Sequence, residues 1–148
     1  MKIHKSVIEK VAECLKHLGF SVHAPRSDDP NYAIATTFQI QGVEMRFEIT
    51  HDPKQNMLVF IVYFPEKIPK EHESDIYAAL NEINAGSPLG HFVFSETTNK
   101  VTFRFAYFLL DKEFNQVKCK ENFQKMLFDA RENYPLLQKL ITTEGANT

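Results

Sequence analysis

Tryptophan is absent from this chain, and its 148 residues include only five glycines and two cysteines. Each scarcity excludes something. A phosphate-cradling loop needs glycines to bring backbone N–H groups close to the anion, and neither a GxGxxG nor a GxxxxGK[ST] run occurs. The strand-to-helix nucleophile turn GxSxG is also missing. Cys14 and Cys119 stand alone, with no CxxC, so neither a zinc ribbon nor a disulfide framework is expected. Both are predicted to be free thiols, half-buried on helices, in a reducing compartment. No run of eighteen apolar residues exists, so no helix is predicted to span a membrane. The opening stretch "MKIHKSVIEKVAECLKHLGF" carries a charge every few residues and lacks the apolar centre of a secretory signal, which places the chain in the cytoplasm. An excess of positive charge is lacking too. Seventeen Lys and Arg against nineteen Asp and Glu leave a net charge of -2, which argues against a broad nucleic-acid surface.

What is present is an ordinary globular composition, 43% apolar and 24% charged, which suffices for one domain with a real core. Thirteen phenylalanines predict a Phe-rich core. Ser6 followed by Glu9 has capping-box spacing, Val7, Val11, Cys14, Leu15 and Leu18 share one helical face, and Gly19 is a natural stop, so a helix is predicted over about residues 4–18. "FSVHA" (20–24) reads as a short strand and "PRSDDPN" (25–31) as a surface loop, its Asp28-Asp29 pair simply solvated. "YAIATTFQI" and "VEMRFEIT" form a hairpin around Gln41-Gly42, and "HDPKQN" (51–56) reverses the chain into "MLVFIVYF" (57–64). A second helix over about 70–85 stops at Gly86, and "HFVFSE" and "VTFRFAYFLL" form another hairpin around "TTNK". A last helix starts near Asn115, with a kink or a break at Asn133 to Pro135, and residues 142–148 read as a frayed tail. The prediction is a single α+β domain over 1–148: an antiparallel sheet of about five strands with helices packed mainly on one face.

Chemistry is sparse. "HESD" (72–75) fails the HExxH spacing because Ile76 stands where the second His belongs, and no two of the six histidines sit at i, i+4 with a third ligand in view. His17 lies one turn from Cys14, but Cys14 belongs to the apolar stripe, which favours a packed thiol over a nucleophile. His51-Asp52 is simplest as turn chemistry. The aromatics of Val101 to Leu109 fall on the buried face, and Arg104 stands nearly alone on the other, unlike an RNA-reading sheet. No catalytic residue, metal or cofactor is predicted, and an enzyme is disfavoured.

The stretch "ALNEINAGSPLGHFVFSETTNKVTFRFAYFL", with Leu80-Asn81, Ile83-Asn84, Leu89-Gly90, Phe92 and Val101 to Phe105, resembles the YbjN-like family of bacterial sensory transduction regulators. "ENYPLL" (132–137) also looks like that family's C-terminal end. The family is similar in fold to the class I type III secretion chaperones. The resemblance implies the order α-β-β-β-α-β-β-α and a possible dimer that binds another protein, without catalysis. Asn81 and Asn84 are expected to hydrogen-bond the freed carbonyls of their helix end and the loop that follows.

One strand breaks the two-faced pattern. "MLVFIVYF" carries no charged or amide side chain, whereas "VEMRFEIT" alternates cleanly between apolar and polar. Pairing Thr50 with Met57, Ile49 with Leu58 and Phe47 with Phe60 sends Leu58, Phe60, Val62 and Phe64 to the core. Val59, Ile61 and Tyr63, joined by Phe108 and Leu110, then point to the other side. Too few helices are available to cover that side, so these five residues are predicted to form a protein-interaction surface for a client or a second copy of the chain. The alternative is a small-ligand-sensing regulatory domain that uses a groove between helix and sheet.

Overall fold

The computed structural model describes residues 6–23, 33–87, 90–109 and 114–146, with side chains through Lys139. In chain order the elements are α1 (Val7–His17), β1 (Ala33–Ile40), β2 (Val43–Asp52), β3 (Met57–Lys67), α2 (Glu73–Ala85), β4 (Gly90–Ser95), β5 (Lys100–Phe108) and α3 (Gln116–Ala146), with a 3-10 turn, Lys70–His72, before α2. The strands form one antiparallel sheet in the order β1-β2-β3-β5-β4. This is the predicted architecture.

Local chemistry explains the boundaries. The Ser6 hydroxyl accepts the Glu9 N–H at 3.2 Å and caps α1. At the other end Gly19, at φ +92°, donates to the Lys16 carbonyl, and Phe20 donates to the Leu15 carbonyl, each at 3.0 Å. That pair of bonds is a Schellman cap, which favours glycine at the left-handed position. Gln41 and Gly42 both have positive φ, 52° and 78°, so β1 and β2 join through a two-residue turn with Ile40 opposite Val43. The Asn115 side chain accepts the Lys118 N–H at 3.0 Å and opens α3.

One hydrophobic cluster joins the inner face of the sheet to α1, α2 and α3. Phe47, Phe60, Phe103 and Phe123 are fully buried in it; the Phe47 ring meets Phe123 edge-on at 5.1 Å and Phe60 at a tilt. Thr36 is the buried polar residue among those described, and its hydroxyl donates to the Ser21 carbonyl.

The structure corrects several expectations. "FSVHA" is not a strand: only His23 bridges β1, opposite Ala35, and Ala24 lies outside the described residues. The β2–β3 turn is tighter than six residues. Asp52 accepts the N–H groups of Lys54 and Gln55, and Asn56 takes a positive φ of 52°, so the pairing runs on to Asp52 opposite Met57. Phe47 therefore faces Val62 rather than Phe60. The slip is two residues, an even number, so every side chain keeps its predicted face. His51, expected as exposed turn chemistry, is half-buried and hydrogen-bonds the Asn56 side chain at 3.1 Å. Helix α3 continues without a break through Pro135, where a kink or a break is expected, and its helical backbone runs on to Ala146. Pro135 removes one N–H from the helix ladder, but Tyr134 and Leu137 on either side are buried, and the Tyr134 hydroxyl donates to Glu66 at the end of β3. Those anchors hold the helix on the sheet across the proline.

Candidate functional site

The outer face of the sheet has no helix over it among the described residues. Its side chains alternate with the core residues along each strand. On β3 the fully buried Leu58, Phe60 and Val62 alternate with half-buried Val59, Ile61 and Tyr63. The pairing sets these in rows across the sheet. Ile61 lies between Glu48 on β2 and Arg104 on β5, Tyr63 between Arg46 and Thr102, and Val59 between Thr50 and Ala106. The apolar β3 residues are half-buried, with charged side chains on the strands beside Ile61 and Tyr63 and the short Thr50 and Ala106 beside Val59.

Those charged side chains have their own geometry. The Arg46 guanidinium pairs with Glu48 at 3.5 Å and sits 6.0 Å from the centre of the Tyr63 ring. Its Nε is buried without a hydrogen-bond partner among the described residues. Burial, and then the charge of Glu48, push the Tyr63 hydroxyl above its ordinary range, while Arg104 and Arg46 oppose them. Toward the β3 end marked by Pro65, a concavity of about 600 Å³ opens over this face, lined among others by Glu44, Arg46, Glu48, Tyr63, Lys100 and Arg104. Val93 on β4 is 41% exposed and Phe108 at the end of β5 is 56% exposed.

Of the five residues singled out from the sequence, Val59, Ile61 and Tyr63 line up on β3, and Phe108 stands at one corner, in the row of Met57. Leu110 lies outside the described residues. Sequence reasoning missed the polar frame of Arg46, Glu48 and Arg104 around them. Its signal was available in the wet-face charges of "VEMRFEIT", but only the pairing shows that they flank Ile61 and Tyr63.

Asn84 is structural, though not in the expected way. Its side-chain N–H donates to the Phe92 carbonyl at 3.0 Å and its carbonyl accepts the Phe92 N–H at 2.7 Å. It therefore bonds the outer edge of β4 rather than the end of its own helix. Asn81 is exposed. Gly90 is also explained: a Cβ there would meet the Phe103 ring at 2.3 Å. Leu89 lies outside the described residues. Cys14 and Cys119, separate in sequence, meet where α1 packs on α3, and both are free and buried rather than half-buried. No group of three or more metal-ligating side chains forms among the described residues, and no helix among them is long and apolar enough to cross a membrane.

The family model of YbjN, "Putative bacterial sensory transduction regulator", matches residues 8–139. The chain belongs to the YbjN family. The YbjN crystal structure from E. coli aligns with a TM-score of 0.66 at 13% identity, covering 99% of this chain and 96% of that one. The ExsC–ExsE complex aligns at 0.59 with 17% identity, covering 95% of this chain and 97% of that one. The HopA1–SchA chaperone–effector complex aligns at 0.53 with 11% identity, covering 84% and 92%. No curated relative matches the sequence. At these identities the structural likeness is one of fold, and it gives this YbjN-family chain the type III secretion chaperone-like architecture that the sequence resemblance implied.

Proposed function

We propose that this chain is a non-catalytic protein-binding domain of chaperone-like or regulatory type, acting in the cytoplasm through the open face of its sheet. The observation that carries this is the apolar stripe Val59, Ile61 and Tyr63, uncovered by any described helix and framed by Arg46, Glu48 and Arg104. A half-buried apolar centre with a charged rim is the anatomy of a protein–protein contact. Solved complexes of the same fold, ExsC with ExsE and SchA with HopA1, support a polypeptide as the partner. Among the described residues, the cavity between helix and sheet by Glu66 and Tyr134 has a volume of about 10 Å³, the size of one water, which does not favour the alternative of a ligand groove there.

Neighbouring substitutions on β3 test the proposal. Phe60 is fully buried, so Phe60→Asp places an unpaired carboxylate in the core and is expected to unfold the domain. Ile61→Asp puts the same charge on the open face and is expected to leave the circular dichroism spectrum intact while abolishing self-association or capture of a partner. An Ile61→Asp chain that folds and keeps every association would sink the proposal.

A further inference from the structure

Strand β3 is irregular where it leaves Tyr63. That residue pairs with Thr102, and Lys67 pairs with Lys100, so β3 takes four steps where β5 takes two, with Pro65 among them. A bulge of this kind bends a strand, and such bends often stand beside functional sites. The concavity of about 600 Å³ lies over this bend on the open face, within the range of roughly 300–1,000 Å³ usual for small-molecule sites. Its floor is one row of the sheet: Arg46 on β2, Tyr63 on β3, Thr102 on β5 and Val93 on β4. Arg46 has donors to spare. Its contact with Glu48 is long, at 3.5 Å, and its Nε has no acceptor among the described residues. Arg104, one row away beside Ile61, is exposed and forms no ion pair among the described residues. Strands β2 and β5 stand about 10 Å apart across β3, so the two guanidinium arms reach toward Tyr63 from opposite sides. Both charges act on the Tyr63 hydroxyl, which sets them around one oxygen.

We infer that this concavity binds a small aromatic monocarboxylate, its carboxylate held between Arg46 and Arg104 and its rings resting on the floor between Tyr63 and Val93. The inference goes beyond the protein contact proposed above and uses only the Tyr63 end of the same face. A guanidinium fork matches a carboxylate through two parallel hydrogen bonds, and guanidinium planes also stack on aromatic rings. The Tyr63 hydroxyl, kept protonated by burial and by Glu48, stands ready to donate to the same group. Pro65 and the 41% exposed Val93 give a flat ring system apolar contact. Charge sets the valence of the ligand. With Lys100, three cations line the concavity against the carboxylates of Glu44 and Glu48, in a chain whose net charge is -2. One negative charge balances that excess, whereas a phosphate dianion sets a second charge against Glu44 and Glu48.

Titration of the full-length chain with matched probes, followed by the NMR signals of its backbone amides, tests the site. The probes are 2-naphthoate, the neutral 2-naphthol, the dianionic 2-naphthyl phosphate, and acetate, which has the carboxylate without the rings. 2-Naphthoate is expected to shift the signals of Arg46, Tyr63 and Thr102 with a Kd below about 1 mM. The other three are expected to bind at least about tenfold more weakly, since each lacks the rings or the single charge. Arg104→Gln is expected to weaken 2-naphthoate by at least about tenfold with an unchanged circular dichroism spectrum. Thr50→Ala, on the same face but outside the concavity, should leave that affinity as it is. Equal binding of 2-naphthol would reduce the site to an apolar patch, and tighter binding of 2-naphthyl phosphate would make it a phosphate site. Either result overturns the inference, as does an Arg104→Gln chain that binds 2-naphthoate like the unaltered one, or the absence of any shift. None of these results bears on the protein contact, which the Ile61→Asp comparison tests separately.

Discussion

At Cys119 burial pushes the thiol up to about 12 from an ordinary value of 9.0, and the charge of nearby Cys14 adds to it. Burial also raises Cys14, and it raises the Tyr107 hydroxyl that bonds Cys119. All three groups are acids whose neutral form the fold prefers. Their contribution to stability is complete below pH 9 and declines as the pH rises toward 12, because the unfolded chain then releases protons that the folded chain retains. Denaturation by urea is expected to show stability falling above pH 9, by at most about 1.4 kcal/mol per pH unit for each group. In the Cys14→Ala/Cys119→Ala chain the decline should be shallower, with the Tyr107 share left. An identical alkaline decline in the two chains would show that these thiols are not the cause. Sequence spacing placed both residues on apolar helical stripes. That they touch could not be read there, because the contact depends on how α1 crosses α3.

Between elements, the Asn84 amide does what a neighbouring strand does elsewhere. Strand β4 is a sheet edge, and edges leave N–H and C=O groups unpaired. Asn84 occupies both groups of Phe92, so it ties α2 to the sheet and blocks the middle of the edge. Asn84→Ala leaves two half-buried backbone groups without a protein partner and is expected to cost about 1–3 kcal/mol in urea unfolding. Asn84→Asp keeps the acceptor but sets a carboxylate against the Phe92 carbonyl, so it should be no more stable than Asn84→Ala. If Asn84→Ala unfolds like the unaltered chain, the amide is not a structural tie. The elements themselves were largely legible, because Ser6, Gly19, Gln41-Gly42 and Asn115 act through their own backbone within a few residues. The β2–β3 register was not, since it turned on how Asp52 and Asn56 fold the loop, and both the six-residue and the four-residue versions keep the apolar residues inside.

At the scale of the whole molecule, one Phe-rich cluster joins the three described helices to the five described strands. Because the described helices and strands share that cluster, far-UV and near-UV circular dichroism are expected to report a single coincident urea transition. Separate midpoints for the two signals would mean that one region unfolds independently. The layering follows from the same cluster: the described helices pack on the inner face, which leaves the outer face of β3 without a described helix over it.

The sequence by itself determined the kind and order of the main elements, most of the caps and turns that bound them, and which side of each strand faces the core. Those properties are local or periodic, and a two-residue slip in pairing does not disturb them. Only the tertiary structure decided which residues become neighbours across strands and helices. It set Glu48 and Arg104 on either side of Ile61, Asn84 on the edge of β4, and Cys14 against Cys119. Each of these depends on register or crossing geometry, which the pattern of apolar and polar residues leaves free.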